Sequence, residues 1–97
     1  SQAITADASS QVANVTSAVT EINATSATGA ISLADGAEGQ IKTFINVSTS
    51  GTNNVVITPT NLRGGTTITL NAEGETVTCL FKNAKWNVIA GNGYVVA

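Results

Sequence analysis

The chain has 97 residues, only 10% of them charged, with a net charge of −2 and no histidine. That length supports one domain around one core, and the charge balance offers no basic stripe for nucleic acid and no cationic patch for anionic lipid. The lone Cys79 excludes an internal disulfide, and no apolar run approaches the length of a membrane-spanning helix.

Thr, Ser, Asn and Gly interleave with Val and Ile along the whole chain. Such a mixture suits half-buried strands and leaves a surface of hydroxyls and amides. A domain this small buries about 60–65% of its unfolded surface, so contacts between copies would add useful burial.

Residues 1–28 are small and polar, with Ile4, Val12, Val15, Val19 and Ile22 as the apolar anchors. They show no helical stripe, and their β-branched content favours extended chain. The expectation is an extended N-terminal arm, or weak strands, ordered by packing on the rest of the domain or on a neighbour. The first ten residues lack the basic and apolar regions of a secretory leader.

From residue 29 the strand signals strengthen. Residues 29–33 place Ile31 and Leu33 on one face, and 34–39 form a loop marked by Asp35-Gly36 and Gly39. Residues 40–47 carry Ile41, Ile45 and Val47 on one side and Phe44 on the other. Residues 48–54 form a turn, and 55–58 a strand stopped by Pro59. Residues 66–90 alternate most clearly: Ile68 with Leu70, then Val77, Cys79 and Phe81, then Trp86, Val88 and Ala90. They read as a three-stranded meander, with a positive φ at Gly74 and a two-residue turn at Asn83-Ala84. Gly91 to Gly93 lead to a short final strand. No internal repeat is evident. The expected fold is all-β, a small antiparallel sandwich or barrel-like domain over 29–97 with the arm at 1–28.

Little in the chain points to catalysis. Without histidine there is no Cys–His pair and no His-ligated metal site. Cys79, in an alternating strand, reads as a buried, inert thiol. The closest carboxylate pairs, Asp35/Glu38 and Glu73/Glu75, fall in or beside turns, so shaping loops outweighs a Ca²⁺ site built on Asp35 and Glu38. The glycine pairs precede no helix and make no phosphate cradle. Asn14, Asn23 and Asn46 match the glycosylation acceptor pattern, as composition alone would produce. No cofactor or catalytic set is expected. Phe44, Phe81, Trp86 and Tyr94 are the candidate sheet or subunit-contact anchors, with a sugar-stacking platform of Trp86 and Tyr94 as the alternative.

Asp35-Gly36-x-x-Gly39-Gln40-x-Lys42, Val56-Ile57-Thr58-Pro59, Gly65-Thr66-Thr67-Ile68-Thr69-Leu70, Gly74-x-x-Val77-Thr78 and Lys85-Trp86-x-Val88-Ile89 follow one another in that order. Together they resemble the small β-domains of tailed-bacteriophage virion proteins, both head-decoration (cement) proteins and tail-fibre modules, across residues 29–96. The resemblance implies a non-enzymatic virion structural protein, foremost a trimeric decoration protein on the outer capsid surface, assembled in the host cytoplasm. Its partners would be the major capsid protein and other copies of itself, with no nucleic acid and no membrane. Ile4, Val12 and Val15 of the arm are the candidate capsid contacts. The alternative is a receptor- or glycan-binding module of a tail fibre or adhesin.

Overall fold

The computed structural model describes residues 1–97. The chain is all-β: β1 Gln2–Ala6, β2 Gln11–Ala13, β3 Val19–Ala24, β4 Thr28–Leu33, β5 Ile41–Asn46, β6 Asn54–Pro59, β7 Ile68–Leu70, β8 Thr76–Lys82, β9 Lys85–Asn92 and β10 Val95–Val96. Two five-stranded sheets face each other, in the orders β1-β3-β5-β8-β9 and β10-β7-β6-β4-β2. Successive strands of the first half alternate between the sheets. The chain therefore winds in coils, and β1, β3 and β5 stack in parallel on one side while β2, β4 and β6 do so on the other.

The coils widen along the chain. Gln2 lies beside Thr20 and Gln11 beside Ile31, but Val19 lies beside Thr43 and Thr28 beside Asn54. The second half closes the stack with antiparallel pairs: β8 on β5, β9 on β8, β7 on β6 and β10 on β7. The sheets are thus mixed, where wholly antiparallel pairing was expected. Small residues make the narrow coils possible. A side chain on Gly29 would meet Ala24 Cβ at 2.9 Å and Ala6 Cβ at 3.3 Å.

The core lies between the sheets and draws on nearly every strand, from Ala6 and Ala13 through Ile22, Ile31, Phe44 and Ile57 to Val77, Phe81 and Trp86. Residues 1–28 accordingly carry three strands, and Ala6, Ala13, Ile22 and Ala24 are buried in the common core. Ile31 with Leu33, Ile68 with Leu70, and Val77, Cys79 and Phe81 point inward as their alternation indicates.

Three further sequence expectations change. The 66–90 meander does not form, because β7 joins β6 in one sheet while β8 and β9 pair in the other. The register of β9 shifts opposite Thr78/Cys79, so Ala90 pairs with Thr78 and is exposed instead of following Trp86 and Val88 inward. On β5 the buried residues are Lys42, Phe44 and Asn46, while Ile41 stays 54% exposed. A count of apolar residues would have turned that strand the other way.

Candidate functional site

Part of the resemblance, Asp35, Gly36, Gly39, Gln40 and Trp86, meets at the loop between β4 and β5. Trp86 has no accessible surface. Its indole Nε1 donates to Ala34 O at 2.9 Å, and Phe81 meets it edge-on, with ring centroids 5.2 Å apart and planes at 74°. Gly36 lies against the ring: a Cβ there would sit 2.9 Å from Cζ2 and 3.0 Å from Cη2, and would also strike Gln40 Oε1. Only glycine lets the backbone approach so closely. Both oxygens of Asp35 accept from Asn61 Nδ2, at 3.0 and 2.9 Å, which ties this loop to the segment after β6. Gly39, at φ 85°, turns its N–H onto Phe81 O at 2.7 Å.

Gln40 works on three elements at once. Its Oε1 accepts from Ala37 N at 2.9 Å, its Nε2 donates to Val15 O, and its backbone carbonyl accepts from Phe81 N at 2.8 Å. Glu38 reaches across to the β8–β9 turn and accepts from the N–H groups of Asn83 and Ala84, at 3.2 and 3.4 Å. Both turn residues have positive φ, 54° and 63°, as a two-residue hairpin turn of this hand requires. The Asn83 N–H above all, then the Ala84 N–H and Lys82 at 3.6 Å, holds the Glu38 carboxyl below its ordinary range.

Lys42 closes the constellation. Its side chain runs inward from β5 with no accessible surface. The ammonium donates to Ser17 O at 2.8 Å and Thr20 Oγ1 at 2.5 Å and lies 5.5 Å from the Phe44 ring centroid. Thr20 in turn donates to Gln2 Oε1, which also accepts from Asn14 N. No carboxylate balances the charge, since Lys82–Glu38 is the one ion pair of the chain. Burial pushes the Lys42 ammonium below the usual lysine range. Oxygen acceptors can satisfy a buried polar group, but leave the charge uncompensated.

The anchors separate into two groups. Phe44, Phe81 and Trp86 are core residues, whereas Tyr94 is 36% exposed on the turn after β9. Ile4 and Val15 are half-buried against the core and Val12 is 68% exposed, all at the β1/β2 end. Asp35 and Glu38 are both engaged by protein donors, and no three His, Cys, Asp or Glu side chains gather as a metal site would need. Cys79 is buried, and burial pushes its thiol up to about 12. Asn46, one of the three glycosylation patterns, is buried: its amide donates to Asn53 O and Leu70 O while its Oδ1 accepts from Ser48. Sequence reasoning missed Lys42 and Asn46 as interior residues, and their only signal was the even spacing from Phe44.

The chain matches no protein-family model and is significantly similar to no curated protein.

Proposed function

We propose that this chain is a non-enzymatic structural protein of a tailed-bacteriophage virion, a decoration protein that binds the outer capsid surface and stabilises the shell. The observation that carries the reading is the use to which the resemblance residues are put. Asp35, Gly36, Gly39, Gln40 and Trp86 fasten one loop to β8, to β9 and to the segments after β2 and β6, while Lys42 ties β5 to β3 and to the segment before it. On this reading the motif is a rigid support for a binding surface.

Shell binding works by mass action: a ligand that binds the assembled shell and not its dissociated subunits, present at a hundred times its dissociation constant, adds about 2.7 kcal/mol per site. The partner is the major capsid protein. Ile4, Val12 and Val15, from the segment first read as an arm, are the candidate contacts. The homotrimer belongs to the same reading, because a charge-poor β surface suits contact between copies. Against the glycan-platform alternative stands Trp86, whose ring has no exposed face for a sugar to stack on.

The test is binding to empty shells of the particle that carries this chain, with cryo-electron microscopy of the loaded shell. Saturable density on the capsid lattice, with a higher shell-dissociation temperature, is the expected result. Density confined to the tail, with no binding to shells, would refute it.

A further inference from the structure

We propose that the β1/β2 end of the stack is a docking surface for a second copy of this chain. The two copies meet end to end about a two-fold axis, so that both sheets continue through the contact. The inference goes beyond shell binding, and it gives to a second copy the same β1/β2 end whose Ile4, Val12 and Val15 are the candidate capsid contacts, so the test below separates the two occupants.

The direction of the backbone groups is the first observation. Ala6 O accepts from Thr25 N at 2.8 Å, which turns the N–H and C=O groups of Ala6, Ile4 and Gln2 toward β3. Alternation along the strand then points those of Ala3 and Thr5 to the open side. No strand of the chain lies there, because β1 and β2 each end their sheet. An open edge in a soluble protein is ordinarily guarded by charge, proline, a bulge or overlying chain. Gln2-Ala3-Ile4-Thr5-Ala6 and Gln11-Val12-Ala13 contain no charge and no proline, and both pair inward without a register shift. The core is also partly open at this end, where Ile4 and Val15 pack against it and stay half-buried.

At the opposite end β10 offers an edge of only two residues, and the edge of β9 is covered. Segment 61–63 lies along the outer edge of β9, with Trp86 N donating to Asn61 O and Arg63 N to Trp86 O, each at 2.9 Å. The Arg63 guanidinium donates to Asn87 Oδ1 at 2.7 Å and Asn83 O at 3.2 Å. Lys85 and the register shift beside Cys79 complete the protection. Head-to-tail growth needs two complementary open ends, and this stack has one. A self-complementary contact that closes after two copies is the arrangement such asymmetry permits. A second copy also matches the spacing between the sheets, so its β1 and β2 meet their counterparts together, each antiparallel to its own equivalent.

The test reads the outward amides directly, by hydrogen exchange on the full chain across a concentration series, with sedimentation on the same samples. Ala3 and Thr5 N–H have no acceptor within one copy, and they should exchange at least about tenfold more slowly when the protein is concentrated than when it is dilute. Thr5→Pro removes an outward donor while leaving every bond to β3, and should halve the sedimenting mass whatever other contacts the copies make. Free exchange at every concentration would overturn the proposal, as would a mass unchanged by both Thr5→Pro and Ala3→Pro. Protection that arises only when capsid shells are added would assign this end to the shell protein instead. Should the proline variants fail to fold, the exchange measurement on the unaltered chain decides alone.

Discussion

Trp86 and Gly36 form a pair whose coupling can be measured. Replacing Trp86 by Ala removes a ring with no exposed surface, a change that costs about 3–5 kcal/mol in a core. It also strips Ala34 O of its indole donor, which adds about 1–3 kcal/mol if no water enters. That sum would unfold the protein at the lower end of a total stability of about 5–15 kcal/mol, so Trp86→Leu is the better background. In the parent, Gly36→Ala drives a methyl to 2.9 Å from the ring and should cost about 1–3 kcal/mol as overpacking. In Trp86→Leu the indole atoms that block the methyl are gone, while the Gln40 amide can swing aside. Gly36→Ala should then cost at least about 1 kcal/mol less than in the parent, a non-additivity typical of touching residues. Urea unfolding of the four proteins, with m values unchanged, gives the coupling. Strict additivity would show that the ring and the glycine do not constrain each other.

Further tests address the polar groups. Lys42→Met exchanges a buried ammonium, whose desolvation costs several kcal/mol, for the loss of two charged hydrogen bonds of about 1.5–3 kcal/mol each. At neutral pH its stability should lie within about 2 kcal/mol of the parent. The native Lys42 binds its proton less tightly than an unfolded lysine at its ordinary 10.5, so the parent gains stability as pH rises from the lowered native value toward 10.5. Lys42→Met should lack that gain, and identical pH profiles would refute the uncompensated charge. Glu38, lowered from 4.5, contributes stability that is present above 4.5 and lost as pH falls through its native value. The melting gap between the parent and Glu38→Gln should therefore close in acid, and a constant gap would remove the carboxylate from the turn. Ala84, at φ 63°, bears a left-handed strain of about 1–2 kcal/mol, so Ala84→Gly should raise the melting temperature by several degrees, and a drop would contradict the turn geometry.

Most strand positions were legible because period-two alternation follows from the pleat itself, whatever a strand pairs with. Ile31, Leu33, Ile68, Leu70, Val77, Cys79 and Phe81 obey it. Partners were far harder to read. The parallel coils leave no sequence period, since the step from one strand to its neighbour grows from Gln2/Thr20 to Thr28/Asn54. The Asn71 to Glu75 turn looks like a hairpin, yet the chain crosses there from one sheet to the other. On β5 local hydrophobicity favoured Ile41 and Ile45, but the polar nest of Ser17, Thr20 and Gln2 draws Lys42 inward. That nest is assembled from residues over twenty positions away, beyond any window of pattern. Within the candidate site, the loop glycines and the size of Trp86 were visible, whereas their contact was not.

The alternation of the first six strands between sheets bears on the order in which the molecule forms. No strand of that half can pair with the next one along the chain, so each ladder waits for a whole coil to close. The one tight hairpin, β8 to β9 across Asn83-Ala84, lies near the end of the chain. Local pairs close early and distant ones late, and the step from Gln2 to Thr20 in the first coil is much shorter than the step from Phe44 to Val77 that brings β8 onto β5. The widest closure therefore comes late, and a chain interrupted before Trp86 holds eight strands but lacks β9, the partner that covers β8.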